Sequence, residues 1–478
     1  MSAADNIAAS ATAKRLLPWL VAVGFFMESL DTTILNTAVP AIAHALKVPP
    51  LNMKAVLASY TLSLAVFIPI SGWMANRFGT RRVFASAIGT FTLGSLLCGV
   101  SSDIHWLVIC RILQGCGGAM MLPVGRITLV RTFPKSELIR AMSFVSIPSL
   151  VAPMVGPLIG GAIIRYFHWS VIFFVNIPIG LLGLIMVYLH LPNYLEPRRR
   201  PLDLIGLILF GSGISLLSYV LEVFGETTLS GREMLGLLVM SAALLGAYGM
   251  NTRRTRHPLL RLRLLRIRSL RLSVAGNLFT RVGIGGIPFL LPLLYQVGLG
   301  FTPIQSGLLI MPQAMAAMSL KLAMPLILRK LGYRTVLIGN TLLMGVMIML
   351  FATVGAATPV WLIVLQAFIY GFLTSMQYTS MNTLAYADVG EHEAADASTI
   401  ASTVQQLAVS FGVATASLTA ALFIPGHSQA SPTEMLHGIH LALLALAVLT
   451  IGSTVVFWNL KSSDGSAVSR HNVQIPAA

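Results

Sequence analysis

Glu28 and Asp31 stand three positions apart in a stretch, 16–38, whose other residues are almost all apolar. On a helix starting near Leu16, a rise of about 1.5 Å per residue puts both acids about 18–22 Å along, close to the midplane of a bilayer core about 30 Å thick. An ionised carboxylate is costly there, so the chemistry to expect is a buried counter-charge, an ion site or a proton carrier. The i, i+3 spacing puts both on one helix face, where like charges repel and one of them favours a proton. A proton-binding site is the sharper reading. The plainer one is a structural ion pair with Arg111 or Arg281.

Those two arginines are the next residues able to do chemistry. Arg111 falls about 5 residues into an apolar run and Arg281 roughly 10 residues into another, and a guanidinium buried without a partner is expensive. Arg111 is expected to face a cavity and modulate Asp31 or Glu28. Arg281 either holds an anionic cargo or pairs with a carboxylate from the first half of the chain. Arg126 and Lys321 lie near run ends and can snorkel, and Glu222 is near an end as well. Cys98, Cys110 and Cys116 all sit in apolar runs and read as packing residues.

The elements that position these groups must be membrane helices. The 478 residues are 56% hydrophobic and 10% charged, with mean hydropathy +0.81; a soluble protein carries about 25% charged residues. About fourteen apolar runs of spanning length recur, the fifth over 142–164, the ninth over 272–297 and the tenth over 306–328. Two carboxylates inside the first run argue against a cleaved signal peptide. Of the 32 basic residues, about 24 fall in alternate loops, among them Lys14, Arg77, Arg131, Arg198 and Arg329. By the positive-inside rule both termini are cytoplasmic. The net charge of +16 then reads as a topology signal that attracts anionic lipids, with no nucleic-acid role.

The pattern divides the chain into a cytoplasmic tail (1–15), a six-helix bundle (16–192), two inserted transmembrane helices (193–252), an arginine-rich amphipathic connector on the cytoplasmic face (253–271), a second six-helix bundle (272–460) and a second tail (461–478). An internal repeat supports it: Arg77-Phe78-Gly79-Thr80-Arg81 is echoed by Lys330-Leu331-Gly332-Tyr333-Arg334. Two repeats with a site between them is transporter architecture. Asp388, Glu391, Glu393 and Asp396 form an acidic loop that either pairs with the connector or is solvated. The sequence has no Walker-type phosphate loop and no paired histidines at metal spacing. No enzyme, cofactor or metal is expected, and energy would come from an ion gradient, with titratable midplane groups favouring protons.

Several motifs resemble the major facilitator superfamily, specifically its fourteen-span drug:proton antiporters of the EmrB/QacA type. Leu30-Asp31-Thr32-Thr33-Ile34-Leu35-Asn36-Thr37-Ala38-Val39-Pro40 is similar to that branch's first-helix motif. The stretch from Gly72 to Arg82 resembles the superfamily's cytoplasmic gate motif, with Gly72, Asn76, Arg77, Gly79, Arg81 and Arg82 at its key places, where Gly72 and Gly79 permit close helix approach and a tight turn. Arg111-Ile112-Leu113-Gln114-Gly115 is similar to the fourth-helix motif, and Pro153, Gly156, Pro157, Gly160 and Gly161 to the fifth-helix antiporter motif. Phe174-Val175-Asn176-Ile177-Pro178-Ile179-Gly180 also fits the branch.

The resemblance implies an all-α major facilitator fold of two six-helix bundles plus two inserted helices, and a proton-coupled exporter of amphiphilic compounds across the bacterial inner membrane. It implies proton coupling at Asp31 and Arg111, joined here by Glu28, and a substrate cavity to which Asn36, Gln114 and Arg281 contribute. Two departures stand out: Asn76 occupies a gate position that usually carries an acid, and Glu28 one where glutamine is expected. A small-molecule substrate and protons are the partners, with room for a periplasmic adaptor and an outer-membrane channel. The rival readings are a proton-coupled exporter of an anionic metabolite, citrate- or siderophore-like, and a non-transporting membrane sensor. In the fifth helix, glycine-mediated packing alone accounts for the motif as well as a seal does.

Overall fold

The computed structural model of the chain describes residues 3–133, 145, 151–152, 155–191, 193–195, 201–223, 230–256, 258–390, 393–423, 432–461 and 463–465. Among these the chain is helical and contains no strand. In chain order we name α1 (Ala3–Ala45), α2 (Lys54–Phe78), α3 (Thr80–Gly99), α4 (Ile104–Thr132), α5 (Val155–Tyr166), α6 (Val171–His190), α7 (Leu204–Val223) and α8 (Gly231–Arg254). They are followed by α9 (Arg268–Gly298), α10 (303–331), α11 (333–351), α12 (Val360–Tyr386), α13 (Ala394–Phe423) and α14 (Pro432–Gly452). Eleven stretches of the described residues are long and apolar enough to cross a bilayer, α1, α5 and all but the end of α10 not being among them. Much of the fifth predicted run, Pro153 included, lies outside the described residues, as do Lys135, Arg140, Arg198 to Arg200, Glu391, Arg470 and the side chains of Glu222 and Lys321.

Glycine sets the tight corners. Gly79 joins α2 to α3 at φ +92°, a conformation that L side chains rarely adopt, and the Asn193 side chain fills the space a Cβ would need. Gly332 joins α10 to α11 at φ +70°. These are the two glycines of the internal echo, so the repeat is a repeat of backbone as well as of sequence. Polar caps start other helices: the Asp103 carboxylate accepts the Trp106 N–H at 2.9 Å at the head of α4, and Thr302 and Gln305 form a capping box on α10.

α9 is discontinuous. Its helix closes at Ile284, resumes at Ile287 and ends in a π turn, Leu294–Gly298. The break is packed at its glycines: a Cβ on Gly286 would meet the Gly412 carbonyl of α13 at 2.6 Å, and one on Gly412 would meet the Arg281 carbonyl at 2.6 Å. Backbone touches backbone here, and only glycine permits it.

The first six helices pack on one another, as do α9 to α14, and α2 lies along α13 between the two groups. α7 and α8 form a hairpin whose α7 rests on both α2 and α13. At the end remote from Arg77 one apolar core runs across both groups, through Leu35, Ala38 and Val56 on one side and Leu290, Leu294 and Val413 on the other. At the arginine-rich end the cores are separate, one holding Leu17, Phe84 and Val124 and the other Leu272, Tyr333 and Leu460. The bundles share one core at one end and have separate cores at the other, with a further cluster, under the strap, that joins Ala65 of α2 to Ile400 and Leu407 of α13.

The predicted amphipathic connector is not a surface helix. Residues between α8 and α9 form an irregular strap with one short 3-10 turn, Leu262–Arg266. Pro258 interrupts helix propagation, and local acceptors take over: Asp203 accepts the Leu259 N–H at 3.2 Å and the Tyr248 hydroxyl accepts the Leu260 N–H at 3.1 Å. Leu260 and Leu264 are buried among residues of α7, α8 and α13. Arg261 bonds Asp396 at 2.8 Å and Arg268 bonds Asp464 at 3.1 Å, so part of the acidic loop does pair with the connector.

Candidate functional site

Asp31 faces the packed interior of the first bundle. Three donors converge on its carboxylate: Arg111 on Oδ2 at 2.5 Å, Gln114 on Oδ1 at 2.8 Å and Asn176 on Oδ1 at 3.0 Å. Arg111 also donates to Gln114 Oε1 at 2.8 Å and to the Val56 carbonyl at 3.4 Å, and its guanidinium lies 4.2 Å from the Tyr60 ring centroid. Asn176 is held in turn by Ser95, which donates to the Phe173 carbonyl at 2.8 Å. α1, α4 and α6 thus meet at one satisfied, buried ion pair, in which charge and hydrogen bonding together offset the desolvation of both groups.

Glu28 is placed differently. The two acids keep the one helix face that their spacing gives, with about 60° between them. That angle turns Asp31 towards α4 and α6 and leaves Glu28 on a cavity. Glu28 Oε2 is buried and has no hydrogen-bond partner. Among the described residues no cation lies within ion-pair distance of it; Arg126, which projects from α4 over Phe25 at 6.0 Å, is the cation whose field reaches it.

The cavity, about 440 Å³, lies between the two bundles. α1 contributes Phe25, Glu28, Ser29, Thr32 and Asn36; α2 contributes Leu57, Tyr60, Thr61 and Leu64; α4 contributes Arg111 and Leu122. The second bundle supplies Gly285, Pro288 and Phe289 from the broken part of α9, and Gln405, Gln406, Val409 and Val413 from α13. The volume suits a drug-sized molecule, and the walls are mostly apolar with a few polar groups. Of the residues expected in this cavity, Asn36 lines it, while Gln114 is fully buried beside Asp31 and Arg281 stands one turn from Gly285.

Arg281 is buried, with Nε donating to Asn277 Oδ1 at 3.0 Å and the guanidinium 3.5 Å from the Tyr378 ring centroid. No carboxylate among the described residues pairs with it.

At the arginine-rich end, Asn76 accepts a hydrogen bond from Arg131 of α4 at 2.9 Å. Arg81 donates through Nε to the Leu191 carbonyl at 2.5 Å, its N–H reaches Asn193 at 3.3 Å, and Thr80 exchanges hydrogen bonds with Tyr194. The loop after α2 is latched to α4 and to the segment after α6. Arg77 and Arg82 are exposed, and a Cβ on Gly72 would meet nothing within 4 Å, so the close approach expected at Gly72 is absent here.

Gly156 packs on Thr33 of α1, and a Cβ on Gly160 would meet the Ile34 carbonyl at 3.0 Å. Gly161 faces Pro303 of α10 with 2.5 Å for a Cβ, and Gly307 of α10 meets the Pro157 carbonyl in return. α5 therefore grips its own bundle and the opposite one with adjacent glycines. Nearby, Gln296 donates to the Thr37 carbonyl at 2.9 Å and Ser417 to the Leu51 carbonyl at 3.2 Å, which completes the closure of that end.

The sequence shows Asn176 only as part of a motif, and its role as a donor to Asp31 is visible only in the structure. Tyr60, Gln405 and Gln406 escape sequence reasoning, since nothing in a single sequence separates a cavity-facing glutamine from a lipid-shielded one. Gly285 and Gly286 could have been found, being adjacent glycines inside an apolar run followed by Pro288.

The family model of the Major Facilitator Superfamily matches residues 21–413. Proteins carrying the multidrug-resistance name MdtD are 39% identical over 409 residues in Escherichia coli K12 and in Shigella flexneri serotype 5b, covering 86% of this chain and 87% of each relative. Among solved structures, a bacterial homologue of the human lysosomal transporter Spinster, inward-facing and unoccupied, superposes with TM-score 0.67 at 14% identity, covering 96% of this chain and 97% of that one. The POT family transporter PepTSo does so with TM-score 0.69 at 15% identity, covering 93% and 97%. The chain is a multi-pass membrane transporter, not an enzyme, and belongs to the major facilitator superfamily.

Proposed function

We propose that this protein exports amphiphilic compounds in exchange for protons by alternating access across a bacterial inner membrane, with fourteen spans in a six-two-six arrangement. The observation that carries the reading is the unpaired Glu28 carboxylate on an apolar cavity between two bundles, beside the enclosed Asp31–Arg111 pair. The multidrug-resistance name of the relatives agrees with it. With the basic loops cytoplasmic, the closed end is periplasmic and the state is inward-facing.

In this scheme cargo enters from the cytoplasm while Asp31 is ionised and held by Arg111. When the bundles rock, the seals at Gly161, Gly307 and Gln296 part and the gate loop of α2 engages. A proton arriving at Asp31 then weakens its hold on Arg111, frees that cation beside the cargo and favours release. Each ligand needs different affinity for the two states, which this exchange provides. Anionic lipids are the expected neighbours of the exposed arginines at the cytoplasmic end.

The test is substrate-driven proton release in everted vesicles with a fluorescent amphiphilic cation. Wild type should release protons from an acidified lumen only with cargo present. Cargo accumulation that persists after the proton gradient is collapsed sinks the antiport reading.

A further inference from the structure

The interior charges of the two bundles do not cancel where they stand. Asp31 and Arg111 neutralise each other within the first bundle. Glu28 and Arg281 stand outside that pair, and both are charged in their ordinary forms. Glu28 of α1 borders the cavity with one carboxylate oxygen buried and unbonded. Arg281 of α9 is 5% exposed; its Nε is bonded to Asn277 and one face is covered by Tyr378, but among the described residues neither terminal nitrogen has an acceptor. Arg281 does not itself line the cavity: it stands four positions before Gly285, a wall residue, hence about 6 Å along the helix, with its guanidinium turned to Asn277 and Tyr378, so it meets a cargo by swinging out of that contact.

Leaving either group alone is costly in a medium that solvates ions poorly. A cargo bearing only a cation satisfies Glu28 and leaves Arg281 stranded. One bearing only an anion does the reverse. We propose that Glu28 and Arg281 are the two charged anchors of a site for zwitterionic amphiphiles, Glu28 taking the cargo's ammonium group and Arg281 its carboxylate. The apolar body lies against Phe25, Leu57, Leu122 and Phe289, which line the same cavity. Because the anchors belong to opposite bundles, the cargo's affinity depends on how the bundles are set, which is the property a rocking transporter needs. Arg281 cannot be exchanged freely for lysine, since its planar fork matches a carboxylate with two parallel hydrogen bonds.

This inference rests on the efflux reading and is tested apart from it by binding alone. Three matched fluorescent probes are titrated against the purified full chain in detergent: dansylcadaverine, a cation; Nα-dansyl-lysine, the same body with a carboxylate added; and dansyl-norleucine, the anion without the ammonium group. Wild type should bind dansyl-lysine at least tenfold more tightly than either of the others. Arg281→Gln should weaken dansyl-lysine at least tenfold while leaving dansylcadaverine within twofold, and retained dansylcadaverine binding shows that the variant is folded. Arg281→Lys should recover part of the loss. Glu28→Gln should weaken both ammonium-bearing probes. Equal binding of dansyl-lysine and dansylcadaverine by wild type overturns the proposal and leaves export of cations standing, as does an Arg281→Gln variant that loses both probes equally while keeping the wild-type melting temperature. If Arg281→Gln does not fold, Arg281→Lys decides in its place: a reduced preference for dansyl-lysine over dansylcadaverine supports a bidentate anchor, and an undiminished one refutes it.

Discussion

Arg111 and Asp31 meet at 2.5 Å with side chains that are 1% and 2% exposed, so the first bundle buries its ion pair just behind the cavity wall, which Arg111 lines. Asparagine has the volume of aspartate, and volume alone would make Asp31→Asn structurally silent. The donors argue otherwise. Gln114 and Asn176 both point N–H groups at Oδ1 while Arg111 addresses Oδ2, so an amide must aim its own N–H at one of them. The change also strands a buried guanidinium, and breaking one side of such a pair costs about 3–5 kcal/mol. We expect Asp31→Asn to lower the melting temperature clearly and abolish coupled proton release. Adding Arg111→Gln should recover much of the stability but none of the coupling. A lone Asp31→Asn variant that melts like wild type would show that the pair is not retained in the resting state.

Glu28→Gln should behave in the opposite way. Its oxygen has no partner to lose, so neutralising it removes an unpaired charge from an apolar wall. Melting temperature should stay level or rise, while export of an ammonium-bearing fluorophore from vesicles falls at least tenfold. Loss of stability comparable with that of the Asp31 variant would mean that the two acids titrate as one unit.

How far the sequence carries can be seen at these same positions. Depth in an apolar run is enough to single out Glu28, Asp31, Arg111 and Arg281, because a charge at the midplane is rare whatever surrounds it. Their partners are not legible. Whether Asp31 meets Arg111 or Arg281 depends on how α4 and α9 rotate about their axes, which packing decides. The echo at Gly79 and Gly332 is legible since positive φ selects glycine directly. The strap misleads because alternating arginine and leucine fits a surface helix by composition, whereas Pro258, Asp203 and Tyr248 redirect its backbone hydrogen bonds. At Gly72 the motif predicts contact and the structure has open space.

The gate loop gives a directional test. Asn76 accepts one hydrogen bond from Arg131 at 2.9 Å in an exposed setting. Replacing it by aspartate turns a neutral acceptor into a charged one, worth up to about 1 kcal/mol at such a site. Because Arg131 belongs to the same bundle, Asn76→Asp should tighten the loop after α2 without by itself closing the arginine-rich end. Cysteine labelling at Arg82 from the cytoplasmic side should slow, and the slowing should fade in high salt. A salt-insensitive change would point to altered packing instead of the ion pair.

The glycines that close the opposite end test the rocking motion itself. A Cβ at Gly161 meets Pro303 O at 2.5 Å and Ile304 Cα at 2.8 Å, and one at Gly307 meets the backbone of Pro157 and Leu158. Backbone cannot yield as a flexible side chain does, so Gly161→Ala and Gly307→Ala must push α5 and α10 apart. Overpacking of this kind costs about 1–3 kcal/mol, and the cost falls only on the state in which these helices touch. The balance should move roughly 5- to 150-fold towards the state open at that end. Periplasmic labelling of a cysteine placed at Asn36 on the cavity wall should rise accordingly, and inward cargo binding should weaken. Gly72→Ala is the control, since its Cβ meets nothing within 4 Å, and a helical glycine replaced by alanine gains up to about 1 kcal/mol of helix propensity. It should leave the labelling balance of the resting protein near wild type. If Gly161→Ala and Gly72→Ala give the same labelling, the α5–α10 contact is not the seal, and closure must rest on Gln296 and Ser417 instead.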